Sequence, residues 1–236
     1  MSHYILVHGA WEGSWSWEKT SPELAHHGHG VTAIDLPGSH GNMQEIPQVT
    51  MASYVETVAD AITPLDHKVI LVGHSMAGAV ISQVAELLPE KIERLVYVAA
   101  FLLKSGDSAL GSMQRDPDGE FFPALEFAAD QSYVTASEQT FRAIAFHDVE
   151  ENDIRHSLPR MAERQATEPF AAKLALSDEK FGAVPKIYIR TSTDRIVSPA
   201  SQDKMIANWD VETVHTLPSG HFPALSMPEK LAAALL

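Results

Sequence analysis

Six short runs of apolar and β-branched residues recur along the chain, at Tyr4–Val7, Val31–Ile34, Val69–Val72, Leu95–Ala100, Ile187–Ile189 and Val211–Val214. Most are near-continuous rather than alternating in polarity, which is the pattern of strands covered on both faces in a parallel sheet. Between them, helical spacing of apolar positions marks Trp17–His26, Met51–Ile62, Met76–Leu87, Pro199–Asn208 and Pro228–Leu236. Strands alternating with helices in this way predict an α/β fold built on a doubly wound sheet.

The interval from Leu102 to Lys186 breaks the alternation. It shows no strand pattern, and helix-compatible stretches such as Ser137–Phe146 and Glu151–Ala166 are mixed with loop residues. A structureless connection of that length is improbable in a compact domain. Residues 103–181 are therefore expected to form a helical cap inserted after the fourth strand, within one domain spanning 1–236.

Composition narrows the function classes. Apolar residues make up 45% and charged residues 20% of the 236 positions, enough for a full core. The formal net charge of -14 argues against nucleic acid and anionic membranes as partners, because both draw their affinity from clustered Lys and Arg. The chain has no cysteine, so disulfides, thiolate nucleophiles and Cys-based metal sites are excluded. The opening residues run into a strand without a basic region and a long apolar segment, so a cytoplasmic location is the expectation.

The chemistry concentrates at Gly73-His74-Ser75-Met76-Ala77-Gly78, which follows the Val69–Val72 strand and opens a helix. A serine on such a strand-to-helix turn needs small neighbours, because the turn is strained and lifts the hydroxyl above the sheet. Gly73 and Ala77 are the small positions here. The string alone arises by chance in about one chain in ten, so its context must carry the argument.

Three further features appear in the order this chemistry requires. His8-Gly9-Ala10-Trp11 follows the first strand, and a backbone N–H there, at Ala10, would join that of Met76 in an oxyanion hole. Asp194 lies a few residues past the fifth strand, and His221 lies past the last. A serine hydroxyl is a weak nucleophile until a base takes its proton, and the imidazolium then formed needs an anion behind it. Taken singly, Asp194 reads as a turn or cap residue and His221 as a loop residue. Their order and spacing make Ser75 the candidate nucleophile, His221 the base and Asp194 the orienting acid, with Asp203, Asp210 and Glu212 as the alternative acids nearby. His26, His27 and His29 read as a solvated helix end rather than a metal site, and Glu150, Glu151 and Asp153 as a helix N-terminus.

These residues make the chain resemble the plant-type hydroxynitrile lyase and methyl esterase branch of the α/β-hydrolases, which also has bacterial esterase and pyrethroid-hydrolase members. The likeness rests on His8-Gly9-Ala10-Trp11-Glu12-Gly13-Ser14-Trp15-Ser16-Trp17, Val31–Leu36, Lys68–Ser75, Phe181-Gly182 with Lys186–Ile189, and Gly220-His221-Phe222. The resemblance implies an α/β-hydrolase fold with a six-stranded, mostly parallel sheet and a helical cap. It also implies no cofactor and often a homodimer. Lyase members of the branch carry Thr or Asn at the position of Gly9, and one type has Lys at the position of Phe222. Gly9 and Phe222 here are the esterase pattern.

The expected activity is that of a serine carboxylesterase acting on a small or medium hydrophobic ester through an acyl-enzyme. Gly9, Trp11, Phe101 and Phe222 are the candidate substrate-binding residues, joined by some of Met76, Phe121, Phe122, Phe127, Phe141 and Phe146. Lyase-type carbon–carbon cleavage and a non-catalytic receptor on the same fold are the alternatives.

Overall fold

The computed structural model describes residues 1–236. Its central sheet is formed by β1 (His3–Val7), β2 (Gly30–Ile34), β3 (Val69–His74), β4 (Ile92–Val98), β8 (Lys186–Thr191) and β9 (Thr213–Leu217). The spatial order is β2-β1-β3-β4-β8-β9, with every pairing parallel. Order reverses at β1, so the loops after β1 and β3 open side by side, where doubly wound sheets place their sites.

The near-continuous apolar runs have a direct structural cause. Alternate strand residues point to opposite faces, and both faces are covered. Ile5, Val7, Leu71, Leu95 and Tyr97 join one buried cluster with Val58 and Ile62 of α2 (Met51–Ile62) and Val80 and Val84 of α3 (Ala77–Leu87). Tyr4, Leu6, Val72, Val96 and Ile189 join the other, with Leu24 of α1 (Ser21–His26) and Leu231 and Leu235 of a C-terminal helix, Pro228–Leu235. At about 1.5–3 kcal/mol per large buried apolar side chain, these two layers are the main source of stability.

Local chemistry sets the ends of the elements. Thr50 caps α2 by accepting from the Ser53 N–H while the Ser53 hydroxyl accepts from the Thr50 N–H, a reciprocal pair. The helix predicted over Trp17–His26 starts only at Ser21, because Pro22 lacks an N–H and is suited to the first turn. Ser14–Trp17 instead form a separate tight turn. The last strand runs from Thr213 to Leu217 rather than 211–214. It lies at the sheet edge with four of its five residues exposed, so its apolar signature is too weak to fix its ends.

Between β4 and β8 the chain forms α4 (Ala109–Gln114), β5 (Glu126–Phe127), β6 (Tyr133–Thr135) and α5 (Glu138–Thr140), which continues as a wider turn to Ala145. There follow α6 (Glu151–Ser157), β7 (Gln165–Ala166) and α7 (Glu168–Ala171). The strands pair antiparallel in the order β5-β6-β7, so this segment is not wholly helical as its sequence suggests. Strands of two or three residues are too short to leave a period-two pattern. Pro159 marks a tight turn that ends α6 well short of Ala166.

The chain returns to the sheet through Lys186, whose side chain is buried. Its ammonium donates to the carbonyls of Phe181 at 2.8 Å, Gly182 at 3.1 Å and Val184 at 2.7 Å, and stands over the Phe181 ring. Burial pushes this amine down to about 8. Replacing Lys186 by Met would take this donor from the Gly182 and Val184 carbonyls, while the Phe181 carbonyl keeps the Val184 N–H at 3.2 Å, and is expected to lower stability by about 2–3 kcal/mol, read as a fall in the urea midpoint at unchanged slope. After β8 come α8 (Pro199–Ile206), α9 (Pro223–Ser226) and α10 (Pro228–Leu235). No helix is long and apolar enough to cross a membrane.

Candidate active site

Ser75 stands on the turn between β3 and α3 with φ of 53°, in the left-handed region that a non-glycine residue rarely occupies. The turn is pinned on both sides. The Ser75 N–H donates to the Val98 carbonyl at 3.1 Å, and the Ser75 carbonyl accepts from Phe101 at 3.1 Å and Gly78 at 3.0 Å. A Cβ at Gly73 would stand 2.8 Å from the Ala77 carbonyl oxygen, and one at Gly78 would stand 2.7 Å from that of Phe101. The backbone contacts that require glycine therefore fall at Gly73 and Gly78, whereas Ala77 keeps its methyl group inside the first turn of α3.

The three residues singled out for nucleophilic chemistry are brought together. His221 Nε2 lies 2.8 Å from Ser75 Oγ, and His221 Nδ1 lies 2.8 Å from Asp194 Oδ2. All are buried, with exposures of 7% for Ser75, 2% for His221 and 4% for Asp194. Asp194 Oδ1 accepts from the N–H groups of Ile196 at 2.8 Å and Val197 at 3.0 Å, and Oδ2 also accepts from the Thr191 hydroxyl at 2.9 Å. A carboxylate held this way presents its remaining lone pair to the imidazole. Of the other acids, Asp203 is tied to Arg190 at the surface, Asp210 lies near Lys186, and Glu212 sits just before the edge strand β9.

The loops carrying Asp194 and His221 are clasped by two residues that the sequence did not single out. Asp148 Oδ2 accepts from the Gly220 N–H at 2.6 Å, and His147 Nε2 donates to the Thr193 carbonyl at 2.9 Å. A Cβ at Gly220 would come within 2.5 Å of Asp148 Oδ1, so the clasp requires glycine before His221.

On the other side of Ser75, Ala10 and Met76 are buried, and neither N–H donates to another protein group. The Ala10 loop is held from below by His8, whose Nδ1–H donates to the Gly9 carbonyl at 2.7 Å while Nε2 accepts from Leu36 N–H at 3.0 Å. With one ring nitrogen donating and the other accepting, His8 is a neutral imidazole, and burial holds its pKa below the usual histidine value. Trp11 has φ of 61° and is tied to β7, its N–H donating to the Gln165 side-chain oxygen at 3.0 Å.

A narrow cleft leads to Ser75. Trp11, Phe101 and Phe222 line it as expected; Gly9 does not, because it packs beneath Ser75 and Glu12. Phe121 and Phe141 also face the cleft and meet Trp11 edge-on at 5.7 Å each. Phe146 instead backs Phe222, Phe122 packs on Phe127, and Met76 is fully buried in the core. Met113, Phe170, Ile196 and Glu12 complete the wall and were not legible as site residues, since the first three come from segments with no periodic signal. A second hollow, lined by charged residues such as Lys104, Asp116 and Lys204, contains none of the candidate site residues.

Comparison with known proteins agrees with this geometry. The model of the alpha/beta hydrolase family matches residues 4–234. The chain belongs to the alpha/beta hydrolase family. Among curated relatives, this hydrolase is 33% identical over 257 residues to the putative chloroplastic methylesterase 11 of Arabidopsis thaliana. That match takes in 100% of the chain but 63% of the relative, so the chain spans under two thirds of that protein's length. It is 30% identical to the alpha-hydroxynitrile lyase of the same plant, over 99% of the chain and 95% of that protein. Among solved structures, a pyrethroid hydrolase from Sphingobium faniae superposes with a TM-score of 0.89 at 25% identity, covering 99% of this chain and 95% of that one.

Proposed function

We propose that this hydrolase is a serine carboxylesterase acting on small or medium hydrophobic esters. The observation that carries the reading is the buried relay of two 2.8 Å contacts from Ser75 Oγ through the His221 imidazole to Asp194. With Nδ1–H directed at the carboxylate, Nε2 is free to take the serine proton as Oγ attacks the ester carbonyl. The free N–H groups of Ala10 and Met76 would receive the negative charge that develops on the carbonyl oxygen. His221 then gives its proton to the departing alkoxide, leaving the acyl group on Ser75. Water, deprotonated by the same nitrogen, releases the acid and restores the serine hydroxyl. The apolar wall of Trp11, Phe101 and Phe222 suits an aliphatic or aromatic acyl or alkoxy group of modest size.

Lyase chemistry is the second reading, because one relative carries that name. Cleaving a cyanohydrin calls for a polar group on the substrate hydroxyl and a cation for the departing cyanide. No Lys or Arg lines this cleft, and Phe222 follows the histidine. A side chain at Gly9 would begin 2.3 Å from Glu12 Oε1 and 2.9 Å from Ser75 Cβ, so the position has no room for one. A non-catalytic receptor would instead show ligand-dependent thermal stabilisation without turnover. The deciding experiment offers short p-nitrophenyl and methyl esters beside an aromatic cyanohydrin. Release of acid and alcohol without cyanide supports the esterase; cyanide release without ester turnover would reverse the assignment.

A further inference from the structure

Directly behind the site lies a buried acid–base pair for which the mechanism above has no use. Glu12 follows the Ala10–Trp11 loop, and His74 precedes Ser75; their exposures are 2% and 4%. His74 Nδ1 is 2.7 Å from Glu12 Oε1, and His74 Nε2 is 2.7 Å from the main-chain carbonyl oxygen of His221. A carbonyl oxygen only accepts, so Nε2 must carry a proton. The remaining contact then holds a second proton between Nδ1 and the carboxyl group.

The surroundings decide where that proton sits. His8 approaches Glu12 from its own loop, while Asp194 and the His221 main chain face His74 from the loops after β8 and β9. The His221 imidazole itself packs against the His74 ring at 4.8 Å, and the Phe222 and Trp17 rings stand at 5.1 and 6.5 Å. Burial is the largest single influence on both groups and would raise the Glu12 carboxyl and lower the His74 imidazole, but the partner's charge and hydrogen bond, joined by His8 at Glu12 and by the His221 carbonyl and Asp194 at His74, together outweigh it and leave Glu12 below and His74 above its usual value. The pair is thus carboxylate and imidazolium.

Its position is as telling as its charge. A single methyl group placed on Gly9 would stand 2.3 Å from Glu12 Oε1, 2.9 Å from Ser75 Cβ and 3.1 Å from His74 Nδ1. The carboxylate therefore flanks the nucleophile, and Glu12 also forms part of the cleft wall. An unpaired carboxylate there would repel the oxyanion that forms during acyl transfer.

We propose that His74 is a positioning residue, a doubly protonated bridge that fixes the main chain of His221 against Ser75 and cancels the Glu12 carboxylate beside the reacting carbonyl. The inference rests on the reading of Ser75 and His221 as nucleophile and base. It assigns the pair two separable effects, alignment of His221 through its carbonyl and electrostatic neutrality at the oxyanion. Removing the imidazole removes both. Removing only the carboxylate leaves a neutral imidazole that still donates from Nε2 to His221, so alignment survives.

In His74→Gln, kcat is expected to fall on the order of a hundredfold with KM within about threefold. Glu12, now buried without a cation, is pushed to a higher pKa, so activity acquires a new descending limb as pH rises and the carboxyl ionises beside the oxyanion. The Glu12→Gln/His74→Gln double variant loses that limb. Independently of turnover, nitrogen-15 spectra of histidine-labelled protein at pH 8 should contain one imidazole protonated at both ring nitrogens, absent from His74→Gln and singly protonated in Glu12→Gln. A profile for His74→Gln of the same shape as the parent's would overturn the proposal. So would the absence of a doubly protonated imidazole, or its persistence in Glu12→Gln, and these two results do not depend on the stability of His74→Gln. If a fluorophosphonate fails to label Ser75 in the parent protein, the esterase reading fails instead, and the spectra still report on the bridge.

Discussion

Replacing Ser75 by Ala is expected to lower kcat for a p-nitrophenyl ester by about four to six orders of magnitude, with KM close to that of the parent. The loss is this large because the pathway through the acyl-enzyme disappears altogether, leaving only what the Ala10 and Met76 N–H groups and the cleft contribute to direct attack by water. The substitution should leave folding intact. Ser75 is held in its left-handed conformation by main-chain bonds to Val98, Phe101 and Gly78, which alanine keeps. A thermal midpoint near that of the parent, measured beside the kinetics, separates chemistry from stability. Substantial turnover in a clean preparation of the variant would remove Ser75 from the mechanism.

Asp194→Asn is expected to cost about four orders of magnitude in kcat, for a reason specific to this site. The carboxylate has two distinct sides: Oδ1 receives the fixed N–H groups of Ile196 and Val197, and Oδ2 receives Thr191 and His221 Nδ1. An asparagine must keep its oxygen toward the two main-chain donors, so its NH2 group turns toward His221. The imidazole then accepts at Nδ1 and carries its proton on Nε2, which can no longer take the serine proton. Binding is little affected, so the loss should appear in kcat rather than KM. A loss of tenfold or less would mean that the tautomer of His221 is set elsewhere.

The sheet was legible in the sequence because burial on both faces writes itself as near-continuous apolar runs. Val69–Val72 is followed by a turn whose residues are dictated by sterics, and Met51–Ile62 matches its helix end to end. Ser75, Asp194 and His221 were recoverable for a related reason: each follows a strand, and the order of strands fixes which loops meet. What escaped reading was governed by contacts between distant segments. The bounds of the edge strand, read at 211–214 but running over Thr213–Leu217, were blurred because most of its residues are exposed, and β5, β6 and β7 are too short to carry a period. Met113, Phe170 and Ile196 reach the cleft by tertiary packing alone. Glu12 and His74 stood in the quoted motifs, but nothing in their spacing revealed that 62 residues apart they form one buried pair.

The esterase account is tested most directly by the mass of the intact protein after exposure to a small fluorophosphonate. Such a reagent reacts only with a serine whose proton is removed by a neighbouring base and whose developing oxyanion is stabilised. The account predicts a single adduct, located on Ser75, abolished in Ser75→Ala and formed far more slowly in Asp194→Asn. A protein that turns over esters yet gains no adduct at Ser75, or that is labelled equally well as Ser75→Ala, would contradict it.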